Sequence, residues 1–403
     1  MIPFFIIFPL ILTLVYYYVY RRLIKSLSIS RPYKLGLWIY MLLPLILTPL
    51  SFMLRSGIVN RFWAEVIAWF TYINLGLFSM VLALLVIRDL GLGIYSIYRK
   101  MKSFLPLIRK DQIVEKTDIR YSPSRRQFLM NSFNLGIFGT AGILSGIGFY
   151  EARRQPILRE IEIPIENLHP DLIGFRIAQF TDVHVGPTIK RSFVESVVQQ
   201  VNQQGVDLIV CTGDMVDGLV PELRNDVEPV VDLYAPRGVF FVTGNHEYYS
   251  GVLPWIEEMQ RLGMTVLMNE HRILPVKNST ILLAGVNDYT AAQFIPEQAS
   301  DPHRAVAGAE TAPVKILLAH QPRNIFAAAA AGFTLQISGH THGGQYIPWN
   351  YLVTLNQPYI SGLHRHQNTW IYVSRGTGYW GPPLRLGVPS EITVFILKSA
   401  SPV

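Results

Sequence analysis

Polar and apolar positions fall into two regimes along this chain. Through the first 150 residues, four long stretches carry no charged residue: 2–20, 35–54, 66–87 and 127–150. A bilayer core of ~30 Å needs about 20 apolar residues at ~1.5 Å rise each, so every one of these stretches is long enough to cross as a helix. Three are strongly hydrophobic. The fourth, with Gly136, Gly139, Gly142, Gly146 and Gly148, is milder. One such stretch alone reads equally well as a buried core helix, but four in succession, separated by Lys- and Arg-bearing loops, predict a membrane-spanning region over residues 1–150.

Beyond residue 150 short apolar runs recur, and each breaks into polar residues at one end. Residues 177–180 lead into Thr181-Asp182-Val183-His184, 208–211 into Thr212-Gly213-Asp214, and 239–242 into Thr243-Gly244-Asn245-His246-Glu247. Residues 316–319 end in His320, and 335–337 lead into Gly339-His340-Thr341-His342. Apolar runs of this length bounded by Gly read as buried strands. Helical stretches fit between them at 192–203, 227–234 and 255–262. Alternating strands and helices predict α/β layering, with the ligand site off the C-terminal ends of the strands. All five polar breaks fall at that end. Ser, Thr and Asn recurring through 278–311 point to a loop-rich stretch.

Charge separates the same two regions. Residues 1–150 hold 17 Lys and Arg against 5 Asp and Glu, whereas residues 151–403 hold 18 against 23. The catalytic candidates therefore lie in a net-negative region without a basic stripe, so a surface that neutralises a nucleic-acid backbone is not expected. In the first region the loop 21–34 carries five basic residues, 55–61 two, and 88–126 ten. Basic loops stay in the cytoplasm, which places the N-terminus outside and delivers residues 151–403 to the outer side. Residues 92–108 mix apolar with basic side chains and fit either an amphipathic surface helix or a solvated linker. The one cysteine, Cys211, sits inside an apolar run and reads as a buried strand residue; it excludes an internal disulfide.

Just before the fourth stretch stands Ser124-Arg125-Arg126-Gln127-Phe128-Leu129. Followed by a mild, Gly-rich apolar run, it resembles a bacterial twin-arginine export signal placed internally. The resemblance implies export of a folded domain, with its cofactor loaded in the cytoplasm. No small-x-small cleavage site stands out after Tyr150, so the stretch is expected to remain as an anchor.

Asp, His and Asn supply oxygen and imidazole ligands for borderline divalent cations such as Mn, Fe and Zn. Asp182-x-His184 and His340-x-His342 each put two ligands on one side of an extended segment. Asp214, after the tight turn at Gly213, is the candidate for a carboxylate bridging two cations.

In order, Asp182-x-His184, Gly213-Asp214-x-x-Asp217, Gly244-Asn245-His246-Glu247, His320 and Gly339-His340-x-His342 resemble the motif set of the calcineurin-like metallophosphoesterases. The resemblance covers about residues 157–400. It implies an α/β sandwich of two mixed sheets flanked by helices, following the four-helix transmembrane region. It also implies two divalent metal ions, one on Asp182, His184, Asp214 and His342, the other on Asp214, Asn245, His320 and His340. His246 would be the general acid, and Asp217 and Glu247 would orient histidines. The extension Gly343-Gly344-Gln345 and the region 374–392 are similar to a membrane-associated bacterial branch of the family. That branch implies the bacterial cytoplasmic membrane, the export machinery as partner, and a small-molecule or lipid-linked phosphate as substrate. The aromatic residues Tyr346, Trp349, Tyr351, Tyr379 and Trp380 fit either a lipid-touching rim or ordinary packing. Two other classes were weighed. A metal-binding sensor without turnover is disfavoured because no motif residue is missing. A transporter is disfavoured because the spans lack embedded charge apart from Glu65 at an edge.

Overall fold

The computed structural model describes residues 2–25, 27, 29–53, 61–104 and 123–400. Within the described residues the four apolar stretches fall almost wholly in four helices: α1 (Ile2–Val19), α2 (Arg31–Met53), α3 (Arg61–Phe104) and α4 (Pro123–Arg153). Pro9, Pro44 and Pro49 fall inside α1 and α2, a placement tolerated in apolar helices. Among the described residues, two helical segments are long and apolar enough to cross a membrane, Arg61–Lys102 and Gln127–Arg153. Residues 92–104 continue α3, exposed on every side where burial is described. The loop residues 54–60 and the basic segment 105–122 lie outside the described residues. The Arg125-Arg126 pair sits in the first turns of α4.

The chain divides into two compact units, one of Met1–Phe52 with Phe70–Ile147 and one of Met53–Trp69 with Gly148–Val403. The first unit turns apolar side chains outward, with Leu135 74% and Phe128 70% exposed, and buries Thr71 and Asn134. Its interior also holds Tyr16 stacked on Phe78, ring centroids 4.1 Å apart.

The second unit is built on two six-stranded mixed sheets. The first sheet takes β1 (Ile157–Ile165), β2 (Arg176–Phe180), β3 (Leu208–Cys211), β4 (Val239–Phe241), β5 (Thr265–Val266) and the C-terminal β12 (Glu391–Ser399). Its order is β1-β12-β2-β3-β4-β5, with β2 to β5 parallel and β12 antiparallel to β2. The second sheet takes β6 (Glu270–Val276), β7 (Ser279–Gly285), β8 (Val314–Leu318), β9 (Leu335–Ser338), β10 (Gly362–His366) and β11 (Thr369–Val373). Its order is β10-β11-β9-β8-β7-β6, parallel from β7 through β11.

Strand alternation explains the unbroken apolar runs. Leu208 and Val210 point between the sheets and pack with Ile281, Ile316 and Ile337 of the second. Ile209 and Cys211 point the other way, under α5 (Arg191–Asn202), α6 (Val220–Val227) and the later α8 (Val252–Arg261). Outside the second sheet, α9 (Pro302–Val306) and α10 (Ile325–Ala330) cover Leu282, Ala284 and Leu317. The order is helix, sheet, sheet, helix. Two further short helices, α7 (Asn245–Tyr249) and α11 (Asn350–Val353), cap loops.

One expected element moves. The helix expected at 227–234 is instead α6, which starts at Val220 with Pro221 in its first turn; only a short 3-10 turn, Glu228–Asp232, follows. Proline is preorganised for a helix start, and Pro229 breaks the run beyond. The stretch 278–311, expected to be loop-rich, also contributes β7.

Candidate metal centre

Every sequence-predicted site residue falls beyond the C-terminal end of a parallel strand. Asp182 and His184 follow β2, Asp214 follows β3, Asn245 and His246 open α7 after β4, His320 follows β8, and His340 and His342 follow β9. Neighbouring parallel strands end together, so five loops converge on one place from both sheets.

The turns are tight. Asp182, His184, Asp214, His340 and His342 all have positive φ, between 50° and 72°. Non-glycine residues take that region rarely, at a cost of ~1–3 kcal/mol each, and hold it where the surroundings dictate it. Two glycines make room: a Cβ on Gly244 would lie 2.2 Å from Asp214 Oδ1, and one on Gly339 2.2 Å from Asp182 Oδ2.

Three groups of donors result, and two of them hold the expected ligands: Asp182 with His184 and His342, all buried, and Asp214 with His320 and the half-buried His340. In the first, His342 Nε2 is 2.9 Å from His184 Nε2 and 3.6 Å from Asp182 Oδ1. In the second, His320 Nε2 is 3.1 Å from Asp214 Oδ2 and 3.2 Å from His340 Nδ1. Asp214 Oδ2 also lies 3.9 Å from His184 Nε2, so this carboxylate faces both groups.

The donor set fits divalent cations on three counts. His320 Nδ1 donates to the Thr212 carbonyl at 2.7 Å, which turns Nε2 towards Asp214. The buried side-chain oxygen of Asn245 meets no hydrogen-bond donor, a cost that a cation would relieve. The electrostatics also call for positive charge. Burial opposes a charge on His320, yet Asp214 beside it pushes the imidazole well above its ordinary value. Burial likewise opposes ionisation of Asp214, but His320 and His246 hold its carboxyl below the usual range.

His246 belongs to the third group, with His184 and Asp217. Its Nδ1 makes a short contact with Asp217, its backbone N–H donates to Asp214 Oδ1 at 2.8 Å, and its Nε2 lies 4.0 Å from Asp214 Oδ2. Burial works against its charge, but Asp214 and Asp217 outweigh that and raise it to about 9. His340 goes the opposite way, to about 3, through burial and the neighbouring His320.

Asp217 Oδ1 also reaches His184 Nδ1 at 3.4 Å. Glu247 does something other than orient a histidine. Its carboxylate accepts from the backbone N–H groups of Asp214 at 2.9 Å, Met215 at 2.7 Å and Gly244 at 2.7 Å. It holds two ligand loops together through main chain, because a buried carboxylate at the start of α7 can cap several N–H groups at once.

Sequence reasoning missed Arg385. This fully buried guanidinium donates to the carbonyls of His342 (2.9 Å), Arg375 (2.7 Å) and Gly378, and its Nη2 lies 2.9 Å from His342 Nδ1. Its segment runs beneath Asp182, where Gly378 N–H donates to the Asp182 carbonyl at 3.0 Å. The aromatic residues divide. Tyr379 is buried and its hydroxyl donates to Thr188 at 3.3 Å, whereas Trp380 and Tyr351 are exposed. Trp380 and Tyr249 flank His246 with ring centroids 5.5 and 5.1 Å away.

Residues 175–344 match the family model of the calcineurin-like phosphoesterases. An uncharacterised metallophosphoesterase of Helicobacter pylori is 39% identical over 281 residues, 69% of this chain and 73% of that protein. One from Campylobacter jejuni is 30% identical over 404 residues, 98% of this chain and 99% of its own length. A Danio rerio protein named as a transmembrane protein with a metallophosphoesterase domain is 37% identical over 266 residues, 64% of this chain and 61% of its own.

Proposed function

The chain belongs to the calcineurin-like metallophosphoesterase family, and from that premise we propose that it is a membrane-anchored, metal-dependent hydrolase of phosphate esters or pyrophosphates. The observation that carries this reading is the pair of donor groups facing one shared carboxylate, Asp214, with the unpartnered Asn245 oxygen and His246, held at Nδ1 by Asp217, at their side.

Asp182, His184, Asp214 and His342 would hold one divalent cation, and Asp214, Asn245, His320 and His340 the second. Bound there, the pair would supply Lewis acidity, lowering the pKa of an attacking water and neutralising the phosphoryl oxygens. The protein's own groups do the rest. Asp217 accepts from His246 Nδ1 and fixes the ring, so that Nε2 carries the mobile proton. His246 delivers that proton to the leaving oxygen as general acid. Trp380 and Tyr249 bound the approach to His246 on the leaving-group side. Glu247 and Arg385 keep the ligand loops in place.

In this reading α1 to α4 cross the bacterial cytoplasmic membrane over residues 1–150, with the basic segments 21–34 and 88–126 on the cytoplasmic side. The catalytic region, 157–400, works on the outer side after passage by the twin-arginine route. Apolar side chains facing outward in the first unit support the membrane, as does the printed name of the Danio rerio relative. The substrate is then a phosphorylated small molecule or a lipid-linked phosphate within reach of the bilayer.

Asp214→Asn tests the core of the proposal. The purified full-length protein is expected to bind divalent metal and to hydrolyse a chromogenic phosphate ester. The variant is expected to lose detectable hydrolysis together with most of its bound metal. Hydrolysis at the wild-type rate by the variant would remove Asp214 from the shared position.

A further inference from the structure

A second polar cluster lies wholly within the first unit, at the end where α1 gives way to Arg21 and Arg22. A cavity of about 440 Å³ there is lined by Arg21, Arg22, Arg88, Asp89 and Asn134 together with four apolar side chains, Leu92, Leu129, Met130 and Phe133. Among the described residues, three guanidinium groups share it with one carboxylate. Arg22 Nε is 2.6 Å from Asp89 Oδ2, Arg88 Nε 2.8 Å from Asp89 Oδ1, and Tyr18 donates to the same carboxylate at 2.8 Å. Asp89 holds the cluster together and cancels one charge of the three. Arg88 is the unusual member, because its side chain is only 14% exposed, with Nη1 3.4 Å from Asn134 Oδ1.

A second cavity, about 260 Å³, adjoins the first through Asn134, which lines both. Its wall is almost wholly apolar, formed by Leu23, Phe78, Val81, Leu135 and Phe138 among others. A cationic chamber opening beside an apolar one matches a ligand with an anionic head and a hydrocarbon tail. A soluble anion would leave the apolar chamber unfilled, and a neutral lipid would make no use of the three arginines that line the other.

We propose that the first unit binds an anionic phospholipid here, with its phosphate against Arg21, Arg22 and Arg88 and one acyl chain in the apolar cavity. Basic pockets between membrane helices on the cytoplasmic side bind such head groups, and the inner leaflet supplies them. The site rests on the membrane-spanning reading given above and is independent of the phosphoesterase chemistry. A bound lipid would join the end of α1 to α3 and α4 where their polar side chains meet.

The test uses the full-length protein in nanodiscs, with retained lipid measured by native mass spectrometry. Phosphatidylglycerol, phosphatidylcholine and inorganic phosphate are offered separately. Wild type is expected to retain phosphatidylglycerol selectively. In a Arg22→Gln/Arg88→Gln double variant its apparent Kd is expected to weaken roughly 30-fold, about fivefold for each arginine near a membrane surface. Arg88→Lys, which keeps the charge, is expected to retain the selectivity. Val81→Phe, which fills the apolar chamber, is expected to lose long-chain lipid while a short-chain analogue still binds. Equal retention of the two phospholipids would overturn the proposal, as would equal binding by wild type and the double variant. Inorganic phosphate binding as tightly as the lipid would overturn it too. If the double variant does not insert, Val81→Phe decides alone, and wild-type retention by it overturns the site. A wild-type chain that does not partition into membranes overturns this inference and the spanning reading together, whereas partition without lipid selectivity overturns the inference alone.

Discussion

In the first unit Leu135 and Ile143 stand 74% and 66% exposed, while in the second Ile209 and Ile316 are wholly buried. The side chains are of one kind, and their placement is opposite. A sheet covered by a second sheet on one face and helices on the other hides its apolar strands twice over. In the membrane-spanning reading proposed above, helices surrounded by hydrocarbon have no reason to hide them, and the first unit keeps inside polar groups such as Thr71 and Asn134. Chemistry then concentrates where each pattern stops. In the second unit that place is the common end of the parallel strands, and in the first it is where the end of α1 brings Arg22 against Arg88 and Asp89 of α3.

The largest expected effect comes from making one substitution in both regions. Ile209→Asp buries a carboxylate with no partner between β3 and its helices, and should cost more than ~4 kcal/mol, enough to abolish folding of the second unit. Ile143→Asp faces outward on α4. It should leave the second unit folded and active while weakening membrane insertion by about 3 kcal/mol, the cost of Asp at a helix centre in a bilayer. Chemical denaturation checks the first and a membrane-partition assay the second. If Ile143→Asp partitions like wild type, the outward face of α4 does not meet lipid and the contrast fails.

Within the second unit, the contrast to sharpen is between residues that hold cations and the residue that moves a proton. His246→Gln should leave metal content unchanged and lower kcat by about 10²- to 10⁴-fold, the usual worth of a general acid. The loss should be greatest for esters with poor leaving groups, since a good leaving group departs without protonation. Metal analysis alongside a leaving-group series measures both. A uniform loss across the series would place His246 among the groups that merely shape the site.

How much of this was legible in the sequence follows from the same contrast. Strands that end in Asp-x-His, Gly-Asp, Gly-Asn-His and His-x-His announce both the sheet and its ligand edge, because period-two alternation and residue type are local properties. The helix expected at 227–234 lies earlier, at α6, because Pro221 opens a helix and Pro229 cannot continue one. Arg385 stayed hidden because its role depends on a segment 43 residues beyond His342 folding back beneath it. Glu247 showed its type but not its partners, which are main-chain groups on other loops. In the first unit, length and charge predict the helices and give no hint of which side chains meet. The cluster of Arg22, Arg88, Asp89 and Asn134 spans 112 positions and appears only in the fold.

The smallest effect separates the ligands from what steadies them. Asp217 accepts from two rings at once, His184 and His246, and both hold its carboxyl well below the usual range against the opposing effect of burial. Asp217→Asn keeps an oxygen in place and removes the charge. Metal affinity should then fall by about 10- to 100-fold, the usual cost of altering a group that orients a metal-ligating histidine. Turnover at saturating metal should fall as well, because the same change frees the ring of His246. A loop carboxylate with no such task would give wild-type metal affinity and wild-type turnover. A fall in turnover alone would confine Asp217 to His246, and a fall in affinity alone would confine it to His184. The titration of metal into the variant, followed by rate measurement at saturation, therefore reads out separately the two contacts that one oxygen makes.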